Sequence, residues 1–276
     1  MIGVFDCEIL EHQAVTYNTM RSVLKCAEIA ENAVPGQFVN VKVSAGTDPM
    51  LRRPFSVHSV NPEKGTFSLL YVMVGRGTAL LSQMKTGQFI SVIGPIGRGF
   101  DFGDIANSTH IVVAGGCGAA PMHFLCDKLC STGICPNVIV LSGAGSKDAV
   151  LCEVEFRAHG VEVDISTDDG SYGYKGFVTE LLAAKLKEIG DTSNVRVYSC
   201  GPHLMMKAVA DISIAAKVQS CQVSLENNMA CGFGVCQGCV TKIKGAAKGD
   251  NSGRDWHHER VCKDGPVFNA EDILWQ

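Results

Sequence analysis

Four cysteines near the carboxyl end constrain this chain more than any other feature of its sequence. Cys231, Cys236 and Cys239 follow a C-x4-C-x2-C spacing, and Cys262 lies further along the chain. This is the spacing of plant-type [2Fe–2S] sites, in which four thiolates of one chain converge on two irons. Glycines between the cysteines allow tight turns and let amide groups approach the sulfur atoms. The spacing therefore predicts that these four cysteines are metal ligands.

Two other interpretations of the cysteines stay open. One is a zinc site, although zinc ribbons usually carry two separate C-x2-C pairs. The other is a set of unrelated buried thiols. His257 and His258 precede Cys262, but the Cys-x-His pairs of a Rieske centre are absent. We expect these histidines to lie with Trp256 on an exposed hairpin.

The composition of the 276 residues limits the classes of function. Hydrophobic residues make up 46% and charged residues 19%, which is enough apolar material for packed cores. The net charge of −4 lacks the basic excess of a nucleic-acid binder. No run of about 18 apolar residues predicts a membrane span, and the first residues carry no signal-peptide pattern. We therefore expect a cytoplasmic protein whose thirteen cysteines are thiols and metal ligands rather than disulfides.

Glycine clusters divide the sequence into three predicted parts. Residues 1–104 contain short apolar runs separated by turn signals, which predicts a small β-barrel. Residues 105–225 alternate apolar strands with helical stretches, which predicts a parallel sheet with helices on both faces. The expected strands are 111–114, 138–141, 161–165 and 195–198, and the expected helices are 121–130, 179–189 and 202–216. Residues 226–276 lack a core of their own, so we expect a metal to organise them.

Residues 114–121 form a glycine-rich turn between a predicted strand and a predicted helix. Glycines let the backbone approach a pyrophosphate, and a helix N-terminus favours its negative charge. The candidate binding residues are Gly115, Gly116, Gly118, Ala119 and Pro121. Because Pro121 occupies the third glycine position of the G-x-G-x-x-G pattern, a glycine turn without a ligand stays an alternative.

Cys200, Gly201 and Pro202 end the fourth strand of this part and start a helix. Ligands of open parallel sheets lie at the carboxyl ends of the strands, so Cys200 is a candidate to face a nicotinamide. A buried thiol before a turn is the other interpretation. Pro121 and Pro202 both suit the first turn of a helix.

Two short segments of the first part are candidate flavin contacts. We expect Arg53–Ser56 to form a fixed turn that brings Arg53 to a phosphate and the Ser56 hydroxyl to a flavin ring. Gly75, Gly77 and Thr78 offer amides and a hydroxyl to a pyrophosphate ahead of a short helix. For both segments, a surface position without a ligand is the simpler interpretation.

The order of these segments resembles that of the ferredoxin–NADP reductase-like superfamily. Within it, the chain is most similar to the iron–sulfur electron-transfer subunits of type B dihydroorotate dehydrogenases. The resemblance covers essentially the whole chain and is most specific over residues 229–239 and 261–268. Residues 51–56 and 94–100 agree with it.

The resemblance implies a multidomain fold. Its parts are an antiparallel β-barrel FAD domain (1–104), an α/β parallel-sheet NAD-binding domain (105–225) and a small C-terminal [2Fe–2S] domain (226–276). It implies that FAD is held by Arg53, Pro54, Phe55, Ser56, Gly75, Gly77 and Thr78, and that NADH binds at the Gly115 turn and at Cys200–Pro202. Ser56 and Cys200 are then the catalytic residues.

The resemblance also implies a route for electrons. NADH gives a hydride to FAD, and the [2Fe–2S] cluster takes electrons one at a time. They continue to an FMN in a partner subunit, which interconverts dihydroorotate and orotate, in a heterotetramer of two such pairs. Relatives often carry an Arg where this chain has Gly143–Ser146, and its absence favours NADH. Because Lys147 is a nearby cation, NADPH stays an alternative to NADH.

Other destinations for the electrons stay open. Similar subunits serve NADH-dependent ferredoxin–NADP transhydrogenases, sulfide dehydrogenases and sulfite reductases. Some transhydrogenase relatives replace a cluster cysteine with aspartate, whereas this chain keeps all four, which favours the dihydroorotate type. A redox sensor or iron–sulfur carrier without NADH turnover is an alternative of another class, and the flavin and dinucleotide segments argue against it.

Overall fold

A computed structural model describes residues 2–44, 46–131, 137–246 and 253–275. The first part closes into a barrel of six antiparallel strands in the order β1-β2-β5-β4-β3-β6. The strands are β1 (Gly3–Ala14), β2 (Thr19–Lys25), β3 (Phe38–Val41), β4 (Arg53–Asn61), β5 (Thr66–Val72) and β6 (Phe89–Ile96). Two short helices accompany them, α1 (Ala27–Asn32) and α2 (Arg76–Ser82). The predicted barrel is confirmed.

The middle part contributes six strands to a seven-stranded sheet in the order β10-β9-β8-β7-β11-β12-β15. These are β7 (Thr109–Gly115), β8 (Asn137–Ala144), β9 (Glu162–Thr167), β10 (Tyr174–Lys175), β11 (Val195–Cys200) and β12 (Ser220–Ser224). The helices are α3 (Ala119–Cys130), α4 (Glu153–Ala158), α5 (Val178–Ile189) and α6 (His203–Ala215). Neighbouring strands run parallel from β10 to β12.

Strand β7 shows why helices cover both faces of this sheet. Ile111 and Val113 pack in one core cluster with residues of α5 and α6, while Val112 and Ala114 pack in another with residues of α3 and α4. Both sets are fully buried, as expected for a parallel strand that is covered on two sides. No helix in the described part of the chain combines the length and the apolar run needed to cross a bilayer.

The helix boundaries differ slightly from the predictions. Helix α3 begins at Ala119, so Pro121 lies within its first turn as expected. Pro202 is the N-cap of α6, not a residue of its first turn, because its ψ of 140° is extended. Proline still suits this position, since its missing N–H would have no helical partner there.

The carboxyl-terminal part packs on the middle part rather than standing alone. It contains a two-stranded sheet of β13 (Val240–Lys244) and β14 (Trp256–Arg260), followed by β15 (Val267–Asn269). Strand β15 pairs antiparallel with β12 and completes the large sheet. Val261 and Phe268 join the core cluster that α5 and α6 cover. Trp256, His257 and His258 lie on the predicted hairpin, where only His258 is exposed.

Two stacked histidines lie where the barrel meets the α/β part. His58 of β4 and His123 of α3 are buried, with ring centroids 4.6 Å apart. Burial, and next the neighbouring His123 and Arg21, lower the pKa of His58 to about 3. Both imidazoles are therefore neutral near pH 7, so no charge is buried at this contact.

We predict that acid destabilises the fold through His58. An unfolded histidine has a pKa of about 6.5, so the unfolded chain binds a proton that the folded chain excludes. Stability therefore falls as the pH drops from about 6.5 towards 3, by about 2 kcal/mol at pH 5. Urea denaturation followed by circular dichroism from pH 7.5 to pH 5 measures this loss.

His58→Gln is the control for this prediction, because it cannot titrate. The variant is less stable at neutral pH, but its stability depends less steeply on pH, by nearly one proton. If the two curves run parallel, His58 does not carry the acid sensitivity.

Candidate functional site

The order of the large sheet reverses between β7 and β11, whose carboxyl ends are Gly115 and Cys200. Such a reversal opens a crevice in which ligands of α/β sheets bind. A cleft of about 550 Å³ lies here, between this edge and the barrel. Its walls include Arg53–Ser56, Tyr71, Thr78, Cys117, Ala120 and Ser224–Met229.

The segment Arg53–Ser56 forms the barrel wall of the cleft. It is the start of strand β4, not the turn that the sequence led us to expect. Arg53 pairs with Val41 and Ser56 with Phe38 across the β3 ladder, so neighbouring backbone fixes all four residues. Arg53 also donates to the carbonyl oxygen of Leu51 at 2.6 Å.

Helix α2 packs directly against Arg53. A Cβ atom on Gly77 would lie 2.6 Å from Arg53 Nε, so only glycine lets the helix approach this closely. Gly75 is the N-cap of the helix. Thr78 lines the cleft, but its hydroxyl accepts from the amides of Val74 and Gly75. That hydroxyl therefore stabilises the helix start and is already engaged.

The glycine-rich turn forms the opposite wall. Gly115 ends β7, residues Gly116–Gly118 form a 3₁₀ turn, and α3 follows from Ala119. A Cβ atom on Gly118 would lie 2.1 Å from the carbonyl oxygen of Cys200. The turn thus lies against the end of β11, and Cys117 and Ala120 are its residues that line the cleft.

Cys200 lies behind this turn rather than on the cleft surface. It is buried at the end of β11, followed by Gly201 and by Pro202 at the start of α6. Burial, and next the carboxylate of Glu226, raise the pKa of the Cys200 thiol well above its ordinary value. Cys200 is thus a neutral buried thiol, which is the alternative that the sequence left open.

Glu226 is a cleft residue that sequence reasoning missed. It follows the short strand β12 and belongs to no recognisable motif. Glu226 is exposed to the cleft, and the protein around its carboxyl group raises its pKa by partial desolvation. Burial, and next Glu226, raise the pKa of the facing Cys117 thiol to about 11. The cleft therefore holds a carboxyl group that binds a proton more readily than an ordinary glutamate.

The four predicted ligand cysteines come together in two pairs. The Cys231 sulfur accepts from the amides of Val235 and Cys236, and the Cys239 sulfur accepts from the amide of Cys262, each at 3.4 Å. Each pair is in side-chain contact, Cys231 with Cys236 and Cys239 with Cys262. Within the described residues, no three His, Cys, Asp or Glu side chains are arranged to hold a single metal ion.

The protonation of these thiols indicates what the site can hold. Burial raises the pKa of Cys231, but the amides of Cys236, Phe233 and Val235 outweigh it and bring the pKa to about 6. Burial and the adjacent Cys239 raise the pKa of Cys262 to about 12. Four adjacent thiolates repel one another, so they ionise together only around cationic metal. The donor set therefore fits an iron–sulfur cluster.

A barrel residue fixes the cluster loop. The Asn40 side chain of β3 donates to the carbonyl oxygen of Cys231 at 3.2 Å. Gly232 has a φ of +77°, and a Cβ atom there would lie 2.1 Å from Asn40 Nδ2. Glycine is thus needed both for the turn and for this contact.

Family models match three ranges of the chain. Residues 6–100 match an oxidoreductase FAD-binding domain, and residues 112–211 match an oxidoreductase NAD-binding domain. Residues 226–274 match the iron–sulfur cluster binding domain of dihydroorotate dehydrogenase B.

Full-length relatives share the same description, "Dihydroorotate dehydrogenase B (NAD(+)), electron transfer subunit". One from Desulforamulus reducens is 40% identical, with 100% of both chains covered. One from Fusobacterium nucleatum is 37% identical, with 97% of each chain covered. One from Geobacillus kaustophilus is 35% identical, covering 99% of this chain and 100% of the relative.

Solved structures agree with the fold. A chain of the NADH-dependent reduced ferredoxin-NADP oxidoreductase superposes with a TM-score of 0.82 at 28% identity, covering 99% of this chain and 91% of that one. The ferredoxin reductase in carbazole 1,9a-dioxygenase superposes with a TM-score of 0.66 at 22% identity, covering 79% and 67%. With FAD-, NAD- and iron–sulfur-binding domains, the chain belongs to the family of dihydroorotate dehydrogenase B electron transfer subunits and is a subunit of an NADH-linked oxidoreductase.

Proposed function

We propose that this chain takes electron pairs from NADH at a bound FAD and passes them singly, through a [2Fe–2S] cluster, to the FMN-containing catalytic subunit of a dihydroorotate dehydrogenase. The observation that carries the proposal is the continuity of one segment. Ser224–Met229 line the cleft, and the cluster ligand Cys231 follows two residues later. The cleft and the cluster site therefore share one stretch of backbone.

The cleft residues have distinct tasks in this proposal. Arg53–Ser56 and the glycines that pack α2 on Arg53 hold FAD, and the Gly115–Pro121 turn with Gly201 and Pro202 holds the dinucleotide. A flavin accepts a hydride and releases single electrons, which is the chemistry that FAD supplies here. Ser56 lines the cleft, and the backbone of Cys200 lies against the turn.

The pairing of the cysteines supports the [2Fe–2S] type. Two irons bridged by sulfide need two thiolates each, and the chain offers Cys231 with Cys236 and Cys239 with Cys262. A single tetrahedral zinc would instead draw all four sulfurs around one point.

NADH is the preferred donor in this proposal. The cation closest in sequence to the end of β8 is Lys147, whose ammonium lies 5.5 Å from the centre of the Tyr172 ring. Its amide donates to the Ser171 hydroxyl at 2.8 Å. Lys147 is thus held on Tyr172, and no arginine lies in the Gly143–Ser146 turn to bind a 2′-phosphate.

We extend the proposal to organisation and location. The three units are residues 1–104, 105–225 and 226–276, which the ranges matched by family models support. The partner docks beside the cluster loop, where Cys236, Phe233 and Val235 are exposed. Two such pairs form a cytoplasmic heterotetramer.

The structural similarity to the NADH-dependent reduced ferredoxin-NADP oxidoreductase supports one second candidate. In that case the same relay serves a transhydrogenase partner. Purification of the chain with its native partner, followed by mass spectrometry and cofactor analysis, separates the two. A copurifying FMN protein that oxidises dihydroorotate supports the proposal, whereas a ferredoxin-reducing partner supports the second candidate.

Removal of one ligand separates hydride uptake from electron exit. We expect Cys236→Ala to lose the cluster and about two irons per chain, while NADH still bleaches the flavin. Electron delivery to the partner stops. Iron content, visible absorbance and anaerobic stopped-flow kinetics measure this. Cys130→Ala removes a partly buried thiol far from the four ligands and is the matched control. Normal delivery by Cys236→Ala contradicts the proposed order.

The Ser56 hydroxyl is the second test. We expect Ser56→Ala to slow flavin reduction by NADH about 10- to 100-fold, because a positioned hydrogen bond in the cleft is lost. The cluster spectrum is unchanged. Ser82→Ala, whose hydroxyl bonds only its own helix, is the control. Equal rates for both variants remove Ser56 from the catalytic residues.

Glu226 predicts a pH dependence. Because desolvation raises its pKa, the carboxyl group holds a proton at higher pH than an ordinary glutamate and can exchange it with the cleft. We expect the rate of flavin reduction to change with pH through an apparent pKa above 4.5. Glu226→Gln abolishes this limb of the profile in stopped-flow measurements. An unaltered profile assigns the limb to another group.

A further inference from the structure

Three buried side chains form a hydrogen-bonded cluster between the barrel and the α/β part. We call His58, His123 and Cys152 the interdomain cluster. Nδ1 of His123 bonds the carbonyl oxygen of His58 at 3.1 Å, and the Cys152 sulfur lies 3.6 Å from Nε2 of His58. Nδ1 of His58 bonds the Ser68 hydroxyl at 3.0 Å. All three members are at most 8% exposed.

The surroundings fix where the protons lie. Burial raises the pKa of the Cys152 thiol, so it keeps its proton and donates to Nε2 of His58. Nδ1 of His58 then carries the imidazole proton and donates to Ser68. His123 donates from Nδ1, since a carbonyl oxygen only accepts. Both rings are neutral, and donation runs from Cys152 to His58 and from His58 to Ser68.

The backbone at two members is also unusual. The strand register shifts between Val57 and Ser59, so His58 lies at a β-bulge, a feature that re-aims a side chain. Cys152 has a φ of +61°, a left-handed conformation that favours glycine. A non-glycine residue persists there only where its surroundings hold it. In Cys152, the thiol bond to His58 is such a constraint.

Two members lie on elements that form walls of the cleft, and the third contacts one of them. His58 follows Ser56 by two residues on β4. His123 lies on α3, which begins directly after the Gly116–Gly118 turn. Cys152 follows the end of β8 at the N-cap of α4. The cluster therefore connects the barrel wall of the cleft to the helix that follows the glycine-rich turn, and none of its three members lines the cleft.

We infer that His58, His123 and Cys152 are positioning residues that set the distance and angle at which the nicotinamide meets the flavin, an inference that rests on the proposed function. Hydride transfer is sensitive to such displacement, since a shift of about 1 Å can cost about 100-fold in rate. The affinity for NADH is not sensitive to it in the same way, because none of the three residues lines the cleft.

Cys152→Ala tests this inference in the full chain with its cofactors. We expect the limiting rate of flavin reduction at saturating NADH to fall at least about tenfold, with the KM for NADH changed less than twofold. The isotope effect with deuterated NADH rises, because the hydride step becomes more limiting. Cys152→Ser keeps a hydrogen-bond donor and restores most of the rate. Chemical reduction of the flavin by dithionite is unchanged in every variant.

A readout without turnover accompanies the kinetics. In unreduced Cys152→Ala, we expect backbone amides of β4 and of the first turns of α3 to exchange hydrogen for deuterium faster than in the unmodified protein. Exchange in the β13–β14 hairpin is unchanged. Cys126→Ala is the matched control, because this thiol is buried in the same core and bonds only Cys130 of its own helix. It leaves both the limiting rate and the exchange unchanged.

The outcomes distinguish a failure of the positioning role from a failure of the proposed function. If NADH fails to reduce the flavin of the unmodified chain, the proposed function fails first. If it succeeds and Cys152→Ala retains the normal rate, or if Cys126→Ala is slowed equally, the positioning role is refuted. Should Cys152→Ala not accumulate as folded protein, Cys152→Ser and His58→Gln carry the test, and a normal limiting rate in His58→Gln refutes the role.

Discussion

The packing of the carboxyl-terminal segment on the edge of the α/β sheet is the contact on which the rest of the molecule depends. The segment has three short strands, and its buried apolar residues belong to the core of the α/β part. Its apolar residues Val261 and Phe268 enter the core beneath α5 and α6, and β15 adds a strand to β12. Burial of one such aromatic side chain contributes about 2 kcal/mol. Without this docking, the cysteines would have no fixed relation to the cleft.

The cleft itself is built from two units whose faces are chemically different. The barrel contributes a strand with an arginine and a hydroxyl, and the sheet contributes a turn and a helix start. Between them lie neutral, hydrogen-bonded imidazoles rather than an ion pair. A buried ion pair has a desolvation cost that its attraction rarely exceeds, whereas satisfied neutral groups fix a geometry at little cost. These contacts therefore fix the relative position of the two units more than they add to the free energy of unfolding.

The sequence predicted what local chemistry dictates. The cysteine spacing predicted that four thiols converge, and the structure brings them together in two pairs. The strand–helix alternation predicted the parallel sheet, which the structure shows. Arg53–Ser56 was expected as a turn because proline is typical of turns, but Pro54 is the second residue of strand β4. Glu226 follows a five-residue strand without a motif. His58 and Cys152 are in contact although they lie 94 positions apart in the sequence. A local sequence pattern cannot predict such a contact.

The bond between Asn40 and the cluster loop has a consequence for how electrons move. Asn40 lies directly opposite Pro54 in the ladder between β3 and β4. The strand that anchors the cluster loop and the strand proposed to hold the flavin are therefore neighbours, about 4.8 Å apart. The proposed flavin site and the proposed cluster site are thus both attached to the barrel sheet. In the proposed function, electrons would therefore cross a gap whose length is set by the ladder between β3 and β4 and not by a movement of one domain against another.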